Sequence, residues 1–112
     1  MTKIEAVVRP HKLDDVKAAL DDLGARGITV TSVLGAGKQR GRTQYYRGQE
    51  YVVNLLDKCR VETVVSDDMV EDVIEAISKA AFTGEIGDGK IFVSRVDDAI
   101  RIRTRERGET AL

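Results

Sequence analysis

Cys59-Arg-Val-Glu-Thr-Val-Val-Ser-Asp-Asp-Met-Val-Glu-Asp-Val-Ile-Glu-Ala-Ile-Ser-Lys-Ala-Ala81 changes its hydrophobic period midway. From Cys59 to Val65 apolar and polar residues alternate, the two-residue period of a strand with one face on a core. Beyond it Val70, Val73, Ile74, Ile77 and Ala81 recur at three- and four-residue spacing, the apolar stripe of a helix. Ser66-Asp67-Asp68 lies between the two patterns and supplies an N-cap residue and acids for the positive end of the helix. Thr83 to Gly89 reads as a glycine-rich turn and Lys90 to Arg95 as a further strand. The unit is strand, helix, strand.

The same unit stands upstream. Lys3 to Arg9 alternates, with Ile4, Ala6 and Val8 on one face, and Pro10 ends it. Leu13, Val16, Leu20 and Leu23 follow at helical spacing, with Asp14 and Asp15 in the first turn and Gly24 and Gly27 closing it. Ile28 to Leu34 is β-branched and alternating, a second strand. The order β-α-β-loop-β-α-β predicts an α+β, ferredoxin-like βαββαβ domain, with an antiparallel sheet and both helices on one face. The other face would carry Val7, Val33, Val64 and Phe92 beside Glu5, Thr29, Thr31 and Glu62. That mixture suits an oligomer interface, the alternative being an amphipathic sheet left in water.

From Gly35 to about Leu55 no period is sustained, and a structureless stretch of about 20 residues is usually functional or disordered. Residues 97–100 read as a turn, 100–104 as extended chain, and the last few as loose. With 112 residues the chain forms one domain, 1–112, large enough to bury roughly 65% of its unfolded surface. It has five aromatics and no Trp, and all three tyrosines (Tyr45, Tyr46 and Tyr51) fall in the unpatterned stretch, so aliphatics must build the core. A net charge of −1 leaves no global field to draw the protein to nucleic acid or membrane. One cysteine, Cys59, and one histidine, His11, make neither a disulfide nor a zinc set. With no apolar run near the ~20 residues of a membrane span and no signal-peptide layout, the expected compartment is the cytoplasm.

Three segments offer donors for an anion. Gly35-Ala36-Gly37-Lys38-Gln39-Arg40-Gly41 follows a strand but has neither the Walker A nor the dinucleotide spacing, and by itself reads more readily as a flexible strand exit. In Thr83-Gly84-Glu85-Ile86-Gly87-Asp88-Gly89-Lys90, Gly87 and Gly89 let backbone N–H groups converge and Lys90 adds a charge, although a tight helix-to-strand turn needs the same glycines. Arg101, Arg103, Arg105 and Arg107 would share one side if extended, and arginine forks fit phosphate oxygens, the alternative being a solvated tail neutralised by Asp97, Asp98, Glu106 and Glu109. Together the three point to a nucleotide phosphate chain. Ala36 to Gln49 also holds four basic residues and no acid, a locally positive loop on a near-neutral protein.

Catalysis finds little support. The one histidine has no acid partner in sequence, and Cys59 opening a strand reads as a half-buried core residue. The first and third strands lack the exposed aromatics on which RNA-recognition modules stack bases.

Nearly the whole chain resembles the PII nitrogen-regulatory signal proteins. The likeness is carried by Tyr46-Arg47-Gly48-Gln49-Glu50-Tyr51, by Thr83 through Phe92, by Arg101-Ile102-Arg103-Thr104, and by Arg9-Pro10 with Lys12-Leu13. It implies a homotrimer with three clefts between neighbours that bind ATP or ADP. Gly87, Asp88, Gly89 and Lys90 would hold phosphates, as would Lys38, with Arg101 and Arg103 reaching in from the adjoining subunit. Thr29, Gly35, Gly37, Glu62 and Val64 would line the adenosine end. Gln39 would help hold a Mg²⁺ bridging ATP and 2-oxoglutarate, and Lys58 would pair with a carboxylate of that acid. The segment 37–55 would be the family's flexible T-loop, docking on ammonium channels and nitrogen-assimilation enzymes. Within it, Arg47 matches the channel-plugging arginine, and Tyr51 the tyrosine that a nucleotidylyltransferase uridylylates or adenylylates. The resemblance implies a regulator rather than an enzyme, with slow ATP hydrolysis as a side activity. Departures near the loop, Gln49, Asn54 and Asp57 among them, carry a second reading: a trimeric adenine-nucleotide-binding interaction module that has lost 2-oxoglutarate sensing.

Overall fold

A computed structural model describes residues 1–25, 27–36, 43–46, 49–52 and 55–112, with 43–46 and 49–52 described as backbone alone. The elements run β1 Thr2–Val8, α1 Leu13–Asp22, β2 Ile28–Gly35, β3 Thr43–Tyr46, β4 Gln49–Val52, β5 Leu56–Val65, α2 Val70–Ala81 and β6 Gly89–Arg95. Short 3-10 turns occupy Pro10–Lys12, Asp67–Met69 and Gly108–Ala111. Four strands form one sheet in the order β2-β5-β1-β6 with every pairing antiparallel, the ferredoxin-like arrangement expected from the two strand-helix-strand units.

The period-2 and period-3.6 patterns meet in one core. Ile4, Ala6 and Val8 of β1 and Val61 and Val65 of β5 are buried against Val16 and Leu20 of α1 and Val73, Ile77 and Ala81 of α2. Fully burying each of the larger side chains contributes about 2 kcal/mol. Thr63 is the buried polar residue among them, and its hydroxyl donates to the Gly27 carbonyl at 3.0 Å, so it is satisfied and pins β5 to the entrance of β2.

The register also fixes the face turned away from the helices. Thr29, Glu62, Glu5 and Phe92 stand in one row across β2, β5, β1 and β6, and Thr31, Arg60, Val7 and Lys90 in the next. Val64 and Val33 share that face, as the alternation predicted. Glu5 and Glu62 lie directly opposite each other, an unfavourable pair on its own. Arg60 Nε offsets it, 3.3 Å from Glu5 Oε1 and 3.1 Å from Glu62 Oε1, with Lys3 Nζ 3.7 Å from Glu62 Oε2.

Several local expectations change. The unpatterned stretch contains a hairpin: β3 pairs with β4, Thr43 opposite Val52 and Tyr46 opposite Gln49. Two short runs rich in Thr, Tyr and Val around an Arg-Gly pair carry that signal, although neither is long enough to show a period. β5 begins at Leu56 rather than Cys59, because Asp57 and Lys58 pair with Leu34 and Val33 at the far end of β2. Ser66 does not cap α2 directly. It precedes the turn Asp67–Met69, its hydroxyl donates to Asp68 Oδ1 at 2.6 Å, and the helix starts at Val70.

A further change concerns the arginines. Residues 101–107 do not extend but fold back: Ile100 bridges Arg107, Arg101 N donates to Glu106 O at 2.9 Å, and Arg105 takes φ +60°. Asp98 holds the base of this excursion. Its Oδ1 accepts from Ala99 N at 2.9 Å and Gly108 N at 3.2 Å, and its Oδ2 from Arg107 Nη1 at 3.1 Å. The final residues expected to be loose form the Gly108–Ala111 turn.

Candidate functional site

The segment from Phe82 to Gly89 connects α2 to β6 and is organised by one carboxylate. Asp88 Oδ2 accepts from the backbone N–H of Thr83 at 2.8 Å and of Gly84 at 3.0 Å, while Oδ1 accepts from the Thr83 hydroxyl and from Arg9 Nε at 3.2 Å. Arg9 Nη2 also donates to the Ile86 carbonyl at 3.0 Å, so the end of β1 is stitched into the same loop. These donors, the Thr83 hydroxyl foremost, hold the Asp88 carboxyl far below the usual carboxylate range and keep it charged. The chain can follow this path because Gly84, Gly87 and Gly89 take φ of +90°, +105° and +107°. At Gly89 the need is also steric: a Cβ would be driven into the Val7 carbonyl, 2.8 Å from its carbon.

Lys58 links this loop to β5. Its Nζ donates to the Gly87 carbonyl at 2.7 Å. Partial burial, with the neighbouring Arg9 charge, lowers the ammonium pKa from its ordinary value, and Asp88 opposes that shift. Gly35 ends β2 against the same side chain, where a Cβ would stand 3.3 Å from Lys58 Cγ. The strand exit toward the first glycine-rich segment and the second glycine-rich segment are therefore gathered at one end of the sheet. The Asp88 carboxylate belongs to the loop's own scaffold. Among the described residues, Lys90 is exposed next to Gly87 and Gly89 on this loop.

Thr29 and Val33 are four residues apart on β2, so Thr29 lies about 13 Å from the row that holds Lys58. Thr29, Glu62 and Val64 line a concavity of about 620 Å³ at the end of the sheet where β5 leaves for α2. Arg101 is half-buried and donates from Nη2 to the Leu112 main-chain oxygen at 3.1 Å, and Arg103 is exposed. Gly37, Lys38, Gln39 and Arg47 lie outside the described residues. Tyr51 sits in β4 opposite Gln44, its side chain outside the description. Cys59 is buried in the core, as its strand position suggested. No helix of the described residues is long and apolar enough to cross a membrane.

Sequence reasoning found the glycines but not the lock. Thr83 and Asp88 are five residues apart around Gly84 and Gly87, and that pairing of a hydroxyl, a carboxylate and left-handed glycines was the available signal. The partner Arg9, 79 residues from Asp88, carries no local signature.

The described residues form a ferredoxin-like sheet with the Asp88-locked glycine-rich loop at one end and a concavity at the other. Residues 1–106 match the family described as Nitrogen regulatory protein P-II. Over all 112 residues, and over the full length of each relative, the chain is 57% identical to the nitrogen regulatory protein P-II of Mesorhizobium japonicum. The corresponding value is 57% for that of Rhodospirillum rubrum and 58% for that of Rhizobium meliloti. The chain belongs to the P-II family: it is a signal-transduction regulator of nitrogen metabolism, not an enzyme.

Proposed function

We propose that this P-II protein is a cytoplasmic homotrimer that binds ATP or ADP in clefts between neighbouring subunits, senses 2-oxoglutarate, and acts on its targets through residues 37–55. The observation that carries the reading is the clasp of Lys58 on Gly87, which gathers Gly35, Gly87, Gly89 and Lys90 around one end of the sheet. An anionic chain laid there meets backbone donors and a cation. Gly37 and Lys38 continue directly from Gly35 and would add to the same anion site.

The distance from that end to Thr29, Glu62 and Val64 suits a ligand with a polar anionic tail and a flat aromatic head. Arg101 and Arg103 would complete the phosphate end from an adjoining subunit. The open sheet face, with Val7, Val33, Val64 and Phe92 among compensated charges, is the surface that trimer formation would cover.

Mg²⁺ fits the reading through Gln39 and the phosphates it would share, with Lys58 pairing with a carboxylate of 2-oxoglutarate. Ligands that pin residue 39 bias the following segment toward one shape, and ADP without the acid leaves it another, a population shift through differential contacts. Targets are an ammonium channel, with Arg47 as the inserted side chain, and nitrogen-assimilation enzymes. Nucleotidylation of Tyr51 would add bulk and negative charge to a basic segment and oppose docking. The second reading, nucleotide binding without 2-oxoglutarate sensing, draws on the same Lys58: its ammonium already serves Gly87, and a carboxylate would have to displace that bond.

Calorimetric titration with ATP-Mg²⁺, with and without 2-oxoglutarate, separates these readings. Mutual enhancement of the two ligands supports the first, ATP binding without enhancement supports the second, and no ATP binding removes both.

A further inference from the structure

The Glu62 carboxylate stands between two cations that draw it opposite ways. Arg60 Nε is 3.1 Å from Glu62 Oε1 and 3.3 Å from Glu5 Oε1, while Lys3 Nζ is 3.7 Å from Glu62 Oε2. Arg60 Nε is buried and has no hydrogen-bond partner, so it balances the charge of the two glutamates without fixing where Glu62 points. Lys3 lines the concavity together with Thr29, Glu62 and Val64, whereas Arg60 and Glu5 are not part of its lining. The lysine is therefore the cation that draws Glu62 toward that space.

The register sets what the carboxylate meets there. Glu62 lies directly opposite Thr29, and Lys3 opposite Val64. A carboxylate only accepts hydrogen bonds, whereas a threonine hydroxyl also donates. One edge of adenine offers the matching pair, the 6-amino donor beside a ring-nitrogen acceptor; guanine carries a carbonyl oxygen at that position, which a carboxylate repels.

We propose that Lys3 is a positioning residue for Glu62, and that through Glu62 it sets the preference of the site for a purine with an amino group at position 6. The proposal rests on the reading of Thr29, Glu62 and Val64 as the adenosine end. Without the Lys3 ammonium, Arg60 is the cation left beside Glu62 among the described residues, and it holds the carboxylate on the side of Glu5. An ion pair as exposed as that of Lys3 and Glu62 contributes little to folding, so its loss falls on the ligand rather than on stability.

The test compares ATP with purine riboside triphosphate, which lacks the 6-amino group, by calorimetry on the full chain. Wild type should prefer ATP about tenfold, the worth of one hydrogen bond to a charged acceptor. Lys3→Met should weaken ATP about fivefold and leave purine riboside triphosphate as in wild type, so that the preference collapses while the melting temperature and sedimentation stay the same. Lys3→Arg, which keeps the charge, should keep the preference. In a Glu62→Gln background Lys3→Met should cost nothing further, because the group it positions is gone. An unchanged preference in Lys3→Met overturns the proposal, as does equal weakening of both nucleotides or a full further loss in the Glu62→Gln background. A wild-type chain that binds no ATP overturns the nucleotide reading and this proposal with it.

Discussion

The Lys58 ammonium donates to the Gly87 carbonyl oxygen at 2.7 Å, joining β5 to the loop that feeds β6, with β1 between the two strands. One side chain thus bridges Gly35 at the end of β2 and the Gly87 carbonyl of the loop. Replacing it with Met keeps most of the stem packed on Gly35 and removes the charge. Lys58→Met should cost about 1 kcal/mol of folding free energy, because the group is partly solvated. It should abolish any response to 2-oxoglutarate while ATP still binds. Urea unfolding and calorimetry check the two halves separately.

Asp88 makes the stability of the loop depend on acid. Its carboxyl titrates well below the ordinary aspartate value of 3.8, held down by the Thr83 hydroxyl, the Thr83 and Gly84 N–H groups and Arg9. A depressed acid stabilises the fold fully above its unfolded pKa, and that contribution declines as pH falls below about 4 toward the folded value. Asp88→Asn puts an NH₂ group against two N–H donors at one oxygen position. Its melting temperature should be lower than wild type at pH 7, and the gap should narrow on acidification below pH 4, a trend that thermal melts across pH can follow.

Gly89 admits no side chain. Its φ of +107° and the Val7 carbonyl beside its Cα leave no place for a methyl group. Gly89→Ala should destabilise by about 3 kcal/mol or more, through backbone strain plus displacement of the β1–β6 ladder. Denaturant unfolding measures it. A loss under about 0.5 kcal/mol, the scale of an ordinary surface substitution, would contradict the local geometry.

The open sheet face bears on assembly. Phe92 is 53% exposed in the single chain and stands in the row of Glu5, Glu62 and Thr29. Phe92→Glu adds a third carboxylate to a row already carrying two, and burial against another subunit would leave it unpaired. The variant should sediment as a smaller species than wild type, with its far-UV circular dichroism preserved.

How far the sequence could be read depended on how local the cause was. The helices, the four sheet strands and their faces were legible because Ile4, Ala6, Val8, Val73 and Ile77 repeat at the periods their elements require. The β3–β4 hairpin escaped because four residues on each side are too few to display a period. The arginine run misled: Arg101 to Arg107 alternates like a strand, but Asp98 closes the chain on itself through Gly108 and Arg107, a tertiary override of pattern. At the site, the glycines announced a loop. What locks it, Arg9 from just beyond β1 and Lys58 from β5, depends on strand order and so became visible only in the folded sheet.

The most direct measurement is native mass spectrometry of the wild-type chain titrated with ATP-Mg²⁺. The account predicts a species of three chains that takes up one, two and finally three nucleotides, with the smaller Phe92→Glu species losing nucleotide along with its assembly. A wild-type chain that stays monomeric and still binds ATP, or a trimer that binds none, would contradict it.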